Sequence, residues 1–323
     1  MQRLPMSSPD LTDIEIAAVN DVLRTRFLSI GPQLEGFEEA VASYVGVPHA
    51  VGVNSGTSGL HLAVIAAGVG NGSYLNGDGG PDLVITTPFS FVASTNCIIY
   101  QRAIPIFVDV DPATGNIDPD QVAEAAYDLT GDAHSARRWL PPAMRDSQQV
   151  LGRLKAVLPI HAFGQPADMD PILEVGARHQ LAVIEDACEA LGAEYRGRKA
   201  GTLGDAAVFA FYPNKQMTTG EGGMIITNDG AWADLFRSLR NQGRDVFDAW
   251  LNHSRLGYNY RLDELSAALG GAQMGRIEEM LAKRAQVASW YNECLAGIEL
   301  IERPHVAPTT SRMSWFVYVV RVK

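Results

Sequence analysis

From about residue 51 to 227, short apolar runs alternate with longer stretches whose apolar residues recur at helical spacing. The runs fall at 83–86, 105–110, 156–159, 182–185, 207–211 and 223–227, and each is short enough to be a buried strand. Such alternation predicts an α/β fold, a mostly parallel central sheet covered by helices. Upstream, Ser8-Pro-Asp-Leu-Thr-Asp-Ile-Glu15 carries the cap signals that open an amphipathic helix, and Gly31-Pro32 marks a turn before a second helix over 34–44. Residues 51–63 predict a strand end, a loop of small residues and a helix beginning near Ser58. Past Arg244, helix-forming sequence over 262–296 leads to Ser314-Trp-Phe-Val-Tyr-Val-Val-Arg-Val322, which is expected to be a strand of a smaller α+β domain. The expected division is therefore a large domain over 1–244 and a small one over 245–323. Two stretches break the rhythm. Residues 68–81, rich in Gly, Asn and Asp, predict an extended surface loop, and residues 128–153 predict an irregular, exposed insertion before the next strand.

The chain's 323 residues, 46% of them hydrophobic, suffice for a large core. A net charge of -11 argues against nucleic acid as a partner, since phosphate backbones demand a basic surface. No apolar run is long enough to span a bilayer, and the start lacks the apolar core of a signal peptide. Cys97, Cys188 and Cys294 form no paired spacing, as expected of reduced thiols in a cytoplasm. The seven histidines show no ligand spacing with Cys or acidic residues, so no metal site is expected. His161, after a strand, is expected to be a hydrogen-bonded structural residue, and Cys188 a packing one.

One pair of motifs suggests chemistry. Leu181-Ala-Val-Ile-Glu-Asp186 ends an apolar strand in a carboxylate, at the edge where open α/β sheets bind ligands. Lys215 follows, in Phe211-Tyr-Pro-Asn-Lys-Gln-Met-Thr-Thr-Gly-Glu-Gly-Gly223. A lysine can hold a carbonyl compound as a Schiff base, and a buried carboxylate can keep a pyridine nitrogen protonated; these are the needs of pyridoxal 5′-phosphate (PLP). Spacing alone gives equal standing to a surface lysine in a Gly-rich turn. The loop Asn54-Ser-Gly-Thr-Ser58, at an expected helix start, supplies amides and hydroxyls for an anion, although an ordinary Ser/Thr helix cap has the same residues. Arg237, Arg240 and Arg244 fit either a diphosphate or a solvated helix face.

Asn54 to Ser58, Thr87-Pro-Phe-Ser-Phe-Val-Ala-Ser94, Ile184 to Ala190, Asn214 to Gly223 and Gly257-Tyr-Asn-Tyr-Arg-Leu-Asp-Glu-Leu265 occur in an order that closely resembles the DegT/DnrJ/EryC1/StrS family of sugar aminotransferases, over nearly the whole chain. The resemblance implies a PLP-dependent transferase of the aspartate aminotransferase type (fold type I). It implies that Lys215 holds the cofactor, that Asp186 partners the pyridinium nitrogen, that Gly56 and Thr57 hold the phosphate, and that Phe91 stacks on the ring. Asn259 would reach the phosphate in the neighbouring subunit of a homodimer. The implied substrates are L-glutamate and a nucleotide-linked ketosugar, joined in a two-stage amino transfer.

Two positions depart from the common pattern. Glu189 stands where many members have Gln against the phenolic oxygen, and Ala210 stands where many have a serine that bonds the phosphate. The retained Lys215, where some relatives carry the histidine of dehydratases, favours transamination. A dehydratase or lyase on the same scaffold and a noncatalytic PLP-binding sensor are the other readings. Members usually continue beyond a strand like 314–322, so the C-terminal end is expected to be incomplete.

Overall fold

The computed structural model describes residues 7–70, 80–131, 133–145, 151–245 and 252–323. Much of the loop expected over 68–81 therefore lies outside the described residues. The central sheet is built from β1 (His49–Val53), β2 (Leu83–Thr86), β3 (Ile104–Phe107), β4 (Leu154–Val157), β5 (Ala182–Asp186), β8 (Ala206–Ala210) and β9 (Gly223–Thr227), in the order β1-β9-β8-β5-β4-β2-β3. Six strands point one way and β9 alone is reversed. The loop 211–222 between β8 and β9 contains no helix, so the chain returns antiparallel instead of crossing over. That return loop is the segment carrying Lys215.

Nearly every residue of β1, β2, β5, β8 and β9 is buried, as a sheet covered on both faces requires. The covering helices are α1 (Asp13–Val22), α2 (Pro32–Val45), α3 (Gly56–Ala66), α4 (Ala93–Tyr100), α5 (Pro119–Thr130), α8 (Met169–His179), α9 (Gly230–Arg240) and α10 (Glu264–Met274). Thr12 closes a capping box with Glu15 at the start of α1, the signal expected from the sequence. Gly59 of α3 lies so close to β8 that an added Cβ would come within 2.7 Å of the Val208 side chain, which seats α3 tightly on the sheet. The long α11 (Ile277–Cys294) belongs to the C-terminal part, with β10 (Ile301–Glu302) paired to β12 (Arg321–Val322). β11 (Thr310–Arg312) instead pairs with β6 (Glu194–Tyr195), which also pairs with β7 (Arg198–Lys199).

Two sequence expectations need correction. The segment 128–153 is not irregular throughout: Asp128 belongs to α5, and the turns α6 (Ala133–Ala136) and α7 (Pro142–Arg145) flank a short 3-10 turn at Arg137–Trp139. The Asp128 carboxylate holds this piece by accepting bonds from Arg138 Nε at 2.7 Å and Trp139 Nε1 at 2.8 Å. Residues 314–322 do not form one strand, for only Arg321–Val322 is strand. Backbone groups of 314–316 are bonded to a loop and a side chain: Ser314 N–H to Gly164, Phe316 N–H to Phe163, and both the Trp315 and Phe316 carbonyls to Arg284. Strand periodicity alone cannot announce those partners.

Candidate active site

The functional candidates gather where the parallel strands end. Asp186 is the last residue of β5 and Ala210 the last of β8, Gly56 lies just past β1, and Phe91 follows β2. Ser55 caps α3 by accepting from the Ser58 amide at 3.1 Å, which leaves the Gly56 and Thr57 amides in the first turn without intrahelical acceptors. A Cβ added at Gly56 would stand 2.7 Å from Ala210 Cβ and 2.9 Å from Cys188 Sγ, so this helix start is pressed against β8 and the loop after β5. One added at Gly223 would stand 2.6 Å from the Ser55 carbonyl oxygen. Only glycine permits either approach.

Asp186 is buried. Its Oδ2 accepts from Ser94 Oγ at 2.5 Å and its Oδ1 from the Cys188 amide at 3.2 Å. Glu189 lies 3.5 Å from Lys215 Nζ and accepts from the Phe163 amide at 2.9 Å. Burial pushes the Glu189 carboxyl up from its ordinary value, opposed by the Lys215 charge. The Phe316 ring stands 4.2 Å from Lys215 Nζ, and the Lys215 side chain is only 14% exposed, so it does not project from the surface of a turn. Phe91 is 75% exposed. Asn259 is also exposed; its carbonyl lies 3.5 Å from Asn54 Nδ2, and it bridges Asn241.

Several residues settle outside this group. The His161 Nδ1 accepts the Ala167 amide at 3.1 Å, so its Nε2 is the donor to Glu185 at 2.8 Å. Glu185 also accepts from the Gly201, Leu203 and Gly204 amides, and the pair is a buried brace under the site. Burial, followed by the Asp186 charge, raises the Cys188 thiol well above its ordinary value, which suits packing and not nucleophilic attack. Arg240 is buried on Glu38 and the Gly52 carbonyl, so it is neither solvated nor open to a diphosphate. Arg237 is paired with Asp234 at 3.2 Å. Among the described residues no group of acidic, His and Cys side chains could hold a metal, and no helix is long and apolar enough to cross a membrane.

Sequence reasoning passed over Ser94, although it closes a quoted motif; its role is visible only once α4 brings it to Asp186, 92 residues away. The residues present fit PLP: a lysine, a buried carboxylate with a donor fixing each oxygen, and a helix start with free amides. Asn214 Oδ1, next to Lys215, is also buried with no partner among the described residues.

Residues 9–323 match the model of the DegT/DnrJ/EryC1/StrS aminotransferase family. The chain belongs to that family. Its sheet and covering helices are those of fold type I, and it is an aminotransferase that takes PLP as cofactor. It is 40% identical over 324 residues to the GDP-perosamine synthase of Caulobacter vibrioides, covering 100% of this chain and 78% of that protein. Helicobacter pylori PseC, an aminotransferase in pseudoaminic acid biosynthesis, superposes with a TM-score of 0.83 at 26% identity, over 100% of this chain and 78% of that one. The PLP-form of Spr1654 from Streptococcus pneumoniae shares the fold at a TM-score of 0.83 and 24% identity, over 100% and 79% of the two chains.

Proposed function

We propose that this aminotransferase moves an amino group from L-glutamate to a keto group of a nucleotide-linked deoxysugar, in the making of amino sugars for polysaccharides or glycosides. The observation that carries the reading is the convergence of Lys215, Asp186, Glu189 and the start of α3 at one end of the sheet. The similarity to GDP-perosamine synthase supports a nucleotide-linked sugar as acceptor.

When bound, the cofactor supplies an electron sink for the carbanion formed at the donor's α-carbon. Lys215 would hold it, and its freed amine would take the proton from the donor's α-carbon and, in the second stage, deliver a proton to the carbon that carried the sugar's keto group. Asp186, fixed by Ser94 and the Cys188 amide, keeps the ring nitrogen protonated. The Gly56 and Thr57 amides receive the phosphate at the positive end of α3. Ala210 brings a methyl group there, so this hold lacks the serine hydroxyl common in relatives. Phe91 offers an aromatic face to the ring. Glu189 reaches the phenolic oxygen as a protonated carboxyl or through a water.

Asn259 serves the phosphate in a neighbouring subunit of a homodimer. The exposed Phe91, Val92, Tyr212 and Leu256 support a covering partner. The division at 244/245 into large and small domains and a cytoplasmic setting for the three free thiols belong to the same reading.

Lys215→Ala is expected to keep the fold, by circular dichroism, and to lose amino transfer to a panel of nucleotide ketosugars. Substantial product from that variant would refute the role of the lysine. A deaminated or dehydrated sugar as the wild-type product would instead favour the lyase reading.

A further inference from the structure

Arg284, on α11, lies far in sequence from every motif of the site, yet its guanidinium touches the backbone of the lysine itself. Nη2 donates to the Lys215 carbonyl at 2.5 Å, and Nη1 donates to the Trp315 and Phe316 carbonyls at 3.2 and 3.1 Å. Among the described residues no carboxylate pairs with it, and burial pulls its pKa down from the ordinary arginine value. A partly buried cation without an anion is costly unless its donors are well used. A guanidinium can reach three carbonyls at once through its rigid fork, whereas a lysine ammonium is one point charge on a flexible stem.

The segment that Arg284 holds is fastened at other points. Gln216 donates to Ser314 Oγ at 2.9 Å, and the amides of Ser314 and Phe316 donate to Gly164 and Phe163. Gly164 has a φ of +91°, and a Cβ there would meet Ser314 Oγ at 2.7 Å, so the two strands of chain touch at a position only glycine tolerates. Phe163 in turn holds Glu189. The consequence is at the amine: the Phe316 ring is laid 4.2 Å from Lys215 Nζ, which also lies 3.5 Å from Glu189.

We propose that Arg284 is a positioning residue for amino transfer: by binding the carbonyls of Lys215, Trp315 and Phe316 together, it fixes the lysine's backbone and sets the Phe316 ring against the lysine amine. This rests on the reading of Lys215 as the lysine that holds the cofactor. Among the described residues, Glu189 stands 3.5 Å from that amine and Cys188 also feels its charge, with Asp186 acting on both.

The test uses the PLP-loaded protein and its Arg284→Lys and Phe316→Leu variants. Arg284→Lys keeps the charge but not the three-way grip. It is expected to slow the first stage with L-glutamate at least tenfold at saturating donor, with KM changed less than kcat. The pH midpoint of the visible cofactor band should fall by roughly half a unit, the size of losing one cation–π contact to the protonated form. Phe316→Leu should shift the midpoint in the same direction while melting like the wild type, and it decides the matter if Arg284→Lys does not fold. A midpoint unchanged in Phe316→Leu, or an Arg284→Lys that only melts earlier at wild-type rate and midpoint, would overturn the inference. A wild type with no visible band, or a band kept by Lys215→Ala, would overturn the function reading instead.

Discussion

Single residues in this protein owe their state to what surrounds them. Glu189 and Asp186 stand three positions apart, yet Asp186 has both oxygens held by fixed donors while Glu189 shares the Lys215 charge against a desolvated setting. For Glu189 burial raises the carboxyl above its ordinary value, and the Lys215 charge opposes that rise. His61 is a case where burial alone acts. It is 3% exposed inside α3, with ring contacts to Tyr100, Tyr258 and Tyr260, and burial pulls its pKa down to about 4 from 6.5. A depressed folded pKa means that the unfolded chain binds the extra proton, so this stability is full above pH 6.5 and is lost as pH falls toward 4. The loss should approach roughly 3 kcal/mol. Denaturant melts of wild type and His61→Phe at several pH values check it: the wild type should lose more stability than the variant across that window.

At the scale of elements, α2 begins at Gly31-Pro32 with no side-chain cap of its own. The missing acceptor comes from the first residue of α10. The buried Glu264 carboxylate accepts from the Gly31, Gln33 and Leu34 amides at 2.8, 2.9 and 3.1 Å, a negative charge at the positive end of a helix. Glu264→Ala is expected to destabilise the fold by about 3 kcal/mol, since three amides at the start of α2, that of the buried Leu34 among them, lose their acceptor. Urea unfolding measures it, and a change below about 1 kcal/mol would show that water replaces the carboxylate. This contact also marks the limit of what the sequence discloses. The strands were legible because a covered sheet needs continuous apolar runs, and α1 because its cap signals are local. The sequence predicts the start of α3 near Ser58, and it lies at Gly56, two residues earlier, because Ser55 and not a later residue caps it. Glu264 to Leu34 spans 230 positions, and Arg284 to Lys215 spans 69. No local pattern reports such pairs. The run 314–322 misled for the same reason, its backbone partners being a distant loop and the Arg284 side chain.

For the whole molecule, the sheet brings motifs scattered over more than a hundred residues to one edge, while Phe91 and Asn259 face outward from it. A homodimer in which Asn259 crosses the interface makes a prediction that a self-contained monomer does not. Neither Lys215→Ala nor Asn259→Ala homodimers should be fully active, whereas mixing and re-forming the two variants should restore activity. Each mixed dimer would then hold one site with both residues intact. No restoration would assign Asn259 to its own subunit's site. The measurement that tests the central claim most directly is the absorption spectrum of the purified protein with PLP, before and after L-glutamate is added without a sugar acceptor. The visible band should give way to the near-ultraviolet absorption of pyridoxamine phosphate, with no such change in Lys215→Ala. A band that persists with L-glutamate and every other amino donor would contradict amino transfer at Lys215.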